Sequence, residues 1–538
     1  KPMSKGNSFI KGAAILGAAG VLVKILGALY RIPLGNIIKP EGMGYYQTAY
    51  PFYVLLLTIS TSGVPVAIAK LVSEKSAIGD YRNAYKVFRV ALTGLFIAGV
   101  LTSLFVLINA RGIVESLGNP NAYYALIALV PALFFVPIMA AFRGFFQGRQ
   151  NMVPTALSQI SEQLFRVVLG LLITYLLLGK GIPFAAGGAS SGGSLGALAG
   201  TITMYIIFIT NKKTINEEIR TSISREEYGV SEIIKDLLVI AVPITIGAAI
   251  APIMDAIDAS MVIKRLQTIG YSEGVANELY GQLKGYAQTL INLPQVFSIS
   301  IAMSLVPAIA NAKARKQKKE VEGIIGSGIR ITLLIGLPCA LGLFVLARPI
   351  IGLLYFKNTP ETIASIGEIL SYLSFGVIFL TLVQTLTSML QGLGRPLIPV
   401  VNLFIGAVFK FILTYTLTVI PSINVKGAAI GTVAAYATAS ILNLISLAYL
   451  TKVQFNYFNV FVKPLISSLG MAVLARFSYI ILYGIVGSKL STIVSIMIGV
   501  VAYVILLIIT GTITSEDMLL LPKGQNIARK LDKYNLMK

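Results

Sequence analysis

The 538-residue chain is 56% hydrophobic with a mean hydropathy of +0.81, too apolar for a soluble protein and long enough for a dozen or more membrane spans. It carries 44 Lys and Arg against 22 Asp and Glu, no His or Trp, and a single cysteine, Cys339. That composition excludes a disulfide framework, a thiolate or imidazole metal cluster and histidine-based catalysis, and in a membrane protein the basic excess is read from its location rather than as a nucleic-acid footprint.

Apolar runs predict fourteen helical spans near 10–34, 46–69, 86–110, 122–145, 155–178, 187–210, 233–260, 282–310, 323–347, 362–390, 397–421, 425–450, 460–483 and 489–511. The run from Phe9 is too long for the h-region of a cleavable signal and no small-residue cleavage site follows it, so no leader is expected; Lys1-Pro2 ahead of Met3 reads as an added remnant. Even-numbered connections hold most of the cations: Lys70, Lys75, Arg82 and Lys86, then Lys212, Lys213, Arg220 and Arg225, then Lys313, Arg315, Lys316, Lys318 and Lys319. The tail adds Lys523, Arg529, Lys530 and Lys533, whereas the opposite connections hold few, such as Lys39, Arg111, Lys180, Lys357 and Lys489. The positive-inside rule then makes both termini cytoplasmic, with the basic excess facing anionic lipid headgroups.

Lys24 and Arg31 lie inside the first span, seven residues apart, which is two helical turns to within about 20°, so both point the same way. A cation at a helix centre costs roughly 2.5–3.5 kcal/mol, and such positions face a bundle interior or watery cavity. They form a fixed positive stripe for an anion; the alternative is that Arg31 snorkels and Lys24 pairs with a carboxylate on another helix. Glu162 and Arg166, four apart in span five, read as an intrahelical pair. In span seven Asp255 and Asp258 share a face, with Lys264 and Arg265 beyond them near the outer surface. The two aspartates suit a coupling site for Na+ or H+, or else they neutralise nearby cations. In span eight Lys284, Gln288, Asn292 and Gln295 form one continuous polar face that lines a cavity or a helix contact. Thr381, Gln384, Ser388 and Gln391 make a milder version in span ten. Lys410 in span eleven faces the cavity or an acceptor such as Glu368, while snorkelling suffices for Arg330 and Arg476.

The first half recurs in the second at an offset of about 230 to 245 residues. Gln147-Gly148-Arg149 with Pro154 answers Gln391-Gly392-Leu393-Gly394-Arg395 with Pro399, and Val64-Pro65-Val66-Ala67-Ile68-Ala69-Lys70 answers Val306-Pro307-Ala308-Ile309-Ala310. Gly196-Ala197 with Gly200-Thr201 answers Gly427-Ala428 with Gly431-Thr432, and Arg166 answers Lys410. Matches in constant order predict two parallel, pseudo-symmetric six-helix lobes, a transporter architecture with substrate between them. The expected division is a lobe over 1–215, a charged linker over 216–232 forming an amphipathic surface helix, a second lobe over 233–455, two extra helices over 456–515 and a basic tail over 516–538. Deep prolines (Pro131, Pro137, Pro243, Pro252, Pro294, Pro307 and Pro338) suit helices that bend during alternating access. The sequence holds no nucleotide-binding motif, so the energy is expected from an ion gradient, the membrane potential or consumption of product, and no cofactor is expected.

Lys11-Gly12-Ala13-Ala14-Ile15-Leu16, Lys24-Ile25-Leu26-Gly27, Tyr30-Arg31-Ile32-Pro33-Leu34 and Gly42-Met43-Gly44-Tyr45-Tyr46-Gln47 resemble the stage V sporulation protein B branch of the polysaccharide-biosynthesis flippases. Tyr286-Ala287-Gln288 through Leu293-Pro294 to Pro307 is similar to the eighth helix of the lipid II flippases. Both groups belong to the multidrug/oligosaccharidyl-lipid/polysaccharide exporter superfamily. The resemblance implies an all-α bacterial cytoplasmic-membrane transporter, not an enzyme, with a cationic central cavity and a C-terminal helix pair forming a groove for a long lipid tail. It implies a lipid-linked glycan, lipid II, as cargo and the cell-wall synthesis machinery as partner, and Lys24 fits the position of a family cavity cation. Proteobacterial-type members carry an arginine where this chain has Thr289, with Lys284 a turn and a half away, and their second-helix arginine has no counterpart around Thr58 to Ser62.

The substrate-binding set expected from residues and resemblance together is Lys24, Arg31, Lys284, Gln288, Asn292, Lys264, Arg265 and Lys410, with Asp255 and Asp258 for the coupling ion. The alternatives are a flippase for another lipid-linked polysaccharide unit, a multidrug/cation antiporter, which wants an acidic cavity, a membrane glycosyltransferase, which needs a catalytic base, and a non-transporting assembly scaffold.

Overall fold

The computed structural model describes residues 5–223, 228–453, 456 and 458–512. The expected basic tail over 516–538 and Arg225 of the linker lie outside the described residues. Those described are helical and fall into two compact units, the first running up to Gln267 and including Tyr271–Gly281, the second comprising Thr268–Gly270 and everything from Gln282 onward. By length and composition twelve helices qualify as membrane spans, thirteen with one bent pair, so this is a multi-pass helical membrane protein.

The expected count of fourteen exceeds this because the first two predicted spans lie in one qualifying element, Ile15–Ala77. Its first helix, α1 (Lys5–Thr61), is 57 residues long, far more than the 20 or so one crossing needs. Regular geometry breaks inside it at Lys39 (φ 56°, ψ −177°). The following Pro40 disfavours helical backbone at the residue before it, which is why the break falls there.

The first unit continues with α2 (Val64–Ala77), α3 (Tyr81–Ser116), α4 (Tyr123–Gly148), α5 (Val153–Leu177), α6 (Ile182–Thr210), α7 (Lys212–Arg220), α8 (Val230–Thr268) and α9 (Glu273–Gly281). Its core is aromatic where α3, α4 and α6 meet: the Phe88 and Phe145 rings lie 4.6 Å apart, with Phe142 and Phe208 against them. Of the expected linker over 216–232, α7 covers only residues 216–220; it buries Ile215 and offers Glu218 to Arg149 of the repeated motif in a two-pronged pair at 2.6 and 3.1 Å.

The sequence reading opens the second lobe at 233, whereas α8 packs within the first unit. Glycine explains this: a Cβ on Gly63 would lie 2.0 Å from the Ala241 carbonyl oxygen, so only glycine admits α8 there, and the Gly63 N–H donates to Thr245 Oγ1 at 3.1 Å. The next helix, α9, stays with the first unit as well, since Asn277 Nδ2 donates to the Glu41 carbonyl and its Oδ1 accepts from Asn119.

The second unit starts with a π-helical turn (Gln282–Ala287) followed by α10 (Gln288–Ile291), α11 (Gln295–Ala314), α12 (Lys318–Val345), α13 (Ala347–Leu354), α14 (Pro360–Ser374), α15 (Gly376–Gly392), α16 (Leu397–Leu417), α17 (Lys426–Thr451), α18 (Lys463–Val486) and α19 (Ser488–Ile509). Its core joins α11, α12 and α15 through Leu305, Ile329 and Met389. Leu341 of α12 with Met471 and Ala472 of α18 holds the C-terminal pair in place, and Tyr503 of α19 donates to the Leu334 carbonyl at 2.7 Å. Among the described residues one span is bent by more than 40°, α14 with α15 at 41°, and its break at Phe375 holds no proline.

Candidate functional site

The repeated glycines position the charges. In the first unit a Cβ on Gly196 would lie 2.4 Å from the Glu162 carbonyl, and one on Gly200 would lie 3.3 Å from Glu162 Cβ. The α6 backbone therefore sits directly on α5. In the second unit Gly431 occupies the same place on α17 against α16, where an added Cβ would meet Thr414 Oγ1 at 2.6 Å and the Lys410 carbonyl at 3.2 Å. Thus the spans that carry Arg166 and Lys410 are each clamped by a glycine pair, which is the repeat seen in the sequence.

On α5, Ser158, Glu162 and Arg166 recur every four residues and so share one face. The expected Glu162–Arg166 pair forms at 3.1 Å, but Glu162 also binds Arg143 of α4 at 3.0 Å, and Arg143 Nε donates to Ser158 Oγ at 2.8 Å. All three ionic side chains are 16–18% exposed, so the triad is mostly withdrawn from solvent and the carboxylate neutralises only one of its two cations.

Facing it on α1 is a tyrosine ladder, Tyr46, Tyr50 and Tyr53, with Tyr46 and Tyr50 stacked at 5.4 Å and Tyr50 and Tyr53 at 5.9 Å. Arg166 lies within electrostatic reach of all three, and Tyr30 and Tyr46 feel both Arg166 and Arg31. Tyr30 anchors α1 by donating to the Ala189 carbonyl at 2.9 Å. Among the described residues Tyr53 Oη, Gln159 Oε1 and Arg166 Nε are buried without a hydrogen-bond partner. Buried polar atoms are ordinarily satisfied, so three orphans beside a cationic triad mark a place for a polar ligand or water.

Arg31 is half-buried and Lys24 exposed, so the deeper cation of the pair is the one nearer the tyrosines. Asp258 is fully buried on α8 whereas Asp255, three residues earlier, is exposed, so the two do not act as one buried carboxylate pair. Lys264 is exposed, its stem beside Gly118, and Arg265 is half-buried. All six of these residues belong to the first unit.

Lys284, Gln288, Asn292 and Lys410 belong to the second. The span-eight face is not the continuous α-helical stripe expected. The π-helical turn over Gln282–Ala287 changes the angle per residue, and Pro294 opens α11 after a break. Lys284 is buried in that turn, and Gln288 still reaches Asn292 at 3.2 Å. Ser365 of α14 donates to Gln282 Oε1 at 2.5 Å. Thr289 is buried and donates back to the Gly285 carbonyl. Lys410 is 1% exposed, and Glu368, the acceptor expected for it as the alternative to the cavity, pairs with Lys426 at 2.7 Å.

Sequence reasoning missed Arg143 and the tyrosine ladder. The ladder's signal was visible, at spacings of four and three on α1; Arg143 stands 19 residues from its partner on another helix, and no local periodicity announces it.

The MatE family model matches residues 284–416. The chain is 31% identical over 443 residues to stage V sporulation protein B of Bacillus subtilis (strain 168), covering 81% of this chain and 83% of that protein. It is 27% identical over 454 residues to the lipid II flippase MurJ of the same organism, covering 82% of each. Its fold matches the solved structure of a lipid II flippase MurJ in an inward closed conformation, with a TM-score of 0.68 at 17% identity over 92% of this chain and 98% of that one. The family model described as polysaccharide biosynthesis protein matches residues 9–313, more than half of the sequence, and the chain belongs to that family.

Proposed function

We propose that the chain is a flippase that moves a lipid-linked oligosaccharide pyrophosphate, with lipid II as its cargo, from the inner to the outer leaflet of the bacterial cytoplasmic membrane by alternating access. One observation carries this reading: two arginines share one carboxylate inside the first unit, leaving a net positive charge beside orphaned polar atoms. A pyrophosphate supplies the missing anion, and charge-assisted contacts in a low-dielectric site are strong. The same excess of cations disfavours a cationic drug. The likeness to a lipid II flippase over 82% of both chains supports this choice of cargo.

In this scheme Lys24 and Arg31 meet the pyrophosphate first, and Arg166 takes it deeper. The tyrosine faces suit sugar rings. Lys264 and Arg265 serve at the outer end of α8. The polyprenyl tail lies along the C-terminal pair. A cavity of about 270 Å³ between α12, α15 and α17, lined by Leu337, Phe379, Leu382 and Leu444 and closed by Phe461 and Leu465 at the start of the pair, offers an apolar surface beside its first helix. In this reading a gradient of Na+ or H+, coupled through buried Asp258, is one source of the energy, beside the membrane potential and consumption of product, and both termini are cytoplasmic.

The test is translocation of fluorescent lipid II in proteoliposomes containing the purified full chain. Wild type is expected to flip it, and R143Q and R166Q to slow it at least tenfold. Transport of a polyprenyl-pyrophosphate glycan without a peptide, and not of lipid II, shifts the cargo to another polysaccharide unit. Transport of neither refutes the flippase reading.

A further inference from the structure

We propose that the cavity bounded by α12, α13, α14 and α18 in the second unit binds the phosphate headgroup of an anionic membrane phospholipid. The cavity holds about 430 Å³, and its walls include Phe344, Arg348, Gly367, Glu368 and Arg476. Two arginines, both exposed, therefore line one cavity. The carboxylate on its wall, Glu368, is held by Lys426 at 2.7 Å, and among the described residues neither Arg348 nor Arg476 has a carboxylate within ion-pair distance.

Arg476 lies 13 residues after Lys463, about 20 Å along a helix that qualifies as a membrane span, and its side chain is exposed. It donates one N–H to the Val345 carbonyl at 3.3 Å, which leaves most of its five donors for a ligand. Snorkelling alone does not explain a guanidinium turned onto the end of α12. The backbone at Arg348 is fixed by close packing, since a Cβ on Gly367 would lie 2.9 Å from Arg348 Cα and α14 rests directly on the first turn of α13, while the side chain is exposed. A pair of planar forks in this arrangement matches a phosphate.

The surroundings favour a lipid over a soluble anion. Val473, Leu474 and Phe477, flanking Arg476, are 47–66% exposed and apolar, so the mouth opens onto lipid. Phe344 packs on Phe375 at 5.1 Å and extends an apolar wall from the charged floor, as an acyl chain requires. The site lies at the end of α12 opposite Lys318 and Lys319, away from the basic connections that meet headgroups nonspecifically.

The experiment is native mass spectrometry of the full chain, delipidated and then titrated with phosphatidylglycerol, phosphatidylcholine or soluble glycerol 3-phosphate. Wild type is expected to retain phosphatidylglycerol over phosphatidylcholine and to ignore glycerol 3-phosphate. R348Q/R476Q is expected to lose that retention at least tenfold, while R82Q, at an exposed arginine elsewhere, keeps it. Should the double variant not remain monodisperse, R348Q alone carries the test and must reduce retention by several-fold. Unchanged retention in these variants, or equal retention of phosphatidylcholine, overturns the proposal. Displacement of the lipid by an equal concentration of glycerol 3-phosphate reassigns the site to free phosphate and overturns it as well.

Discussion

Glu162 accepts a hydrogen bond from Arg143 at 3.0 Å while remaining paired with Arg166 at 3.1 Å, so one carboxylate ties α4 to α5 and restrains two cations. Removing it strands both. E162Q is expected to destabilise the protein by about 1–3 kcal/mol, because uncompensated buried charge is costly even when partly screened. Adding R143Q to E162Q relieves part of that loss. Thermal unfolding of the two single variants and the double, read as a cycle, checks this; strict additivity would show that the pair is not coupled.

The glycine clamp gives a second expectation. At Gly196 a methyl group meets the Glu162 carbonyl oxygen at 2.4 Å, and backbone has nowhere to go, so G196A costs about 1–3 kcal/mol and shifts Glu162 with it. At Gly94 on α3 an added Cβ meets nothing within 4 Å, and G94A gains about 0.5–1 kcal/mol from helix propensity. Opposite changes in the unfolding midpoint of the two variants are the readout.

The third concerns pH. The Glu278 carboxyl on α9 is raised from its ordinary value, first by burial and then by the neighbouring Glu41. It binds its proton more tightly in the folded chain than in the unfolded one. Stability is therefore fully present below the ordinary carboxylate pKa and falls as pH rises through the window up to the raised value. E278Q removes this dependence and is expected to raise the unfolding midpoint at neutral pH relative to wild type, with convergence in acid.

The fourth concerns coupling. Asp258 is completely buried on a helix that crosses the membrane, a position where carboxylates serve ion and proton pathways. D258N is expected to abolish the dependence of transport on a Na+ or H+ gradient, whereas D255N, at the exposed neighbour, leaves it. Gradient dependence that survives D258N removes Asp258 from the coupling role.

The helical class was legible because apolar runs of membrane length are a strong signal, and the glycine pairs were visible even where their consequences were not. Assignment of α8 to the first unit was not legible, because it turns on one close approach, Gly63 on Ala241, between residues 178 apart in sequence. The span-eight face was misjudged for a different reason: periodicity assumes 3.6 residues per turn, and a π-helical turn around Lys284 breaks that assumption. Among the charges, Glu162–Arg166 was readable as a local i, i+4 pair, and Arg143 was not, since its partnership exists only once α4 and α5 pack. Exposure likewise separated Asp255 from Asp258, which sequence spacing had joined.

The most direct test is the amount of lipid II accessible at the outer surface of cells depleted of their own flippase and complemented with this protein. A cationic flippase restores outer-leaflet lipid II as wild type and fails to do so as K24A, R31A or R166Q at equal membrane abundance. Full restoration by those charge variants, or none by well-expressed wild type, would contradict it.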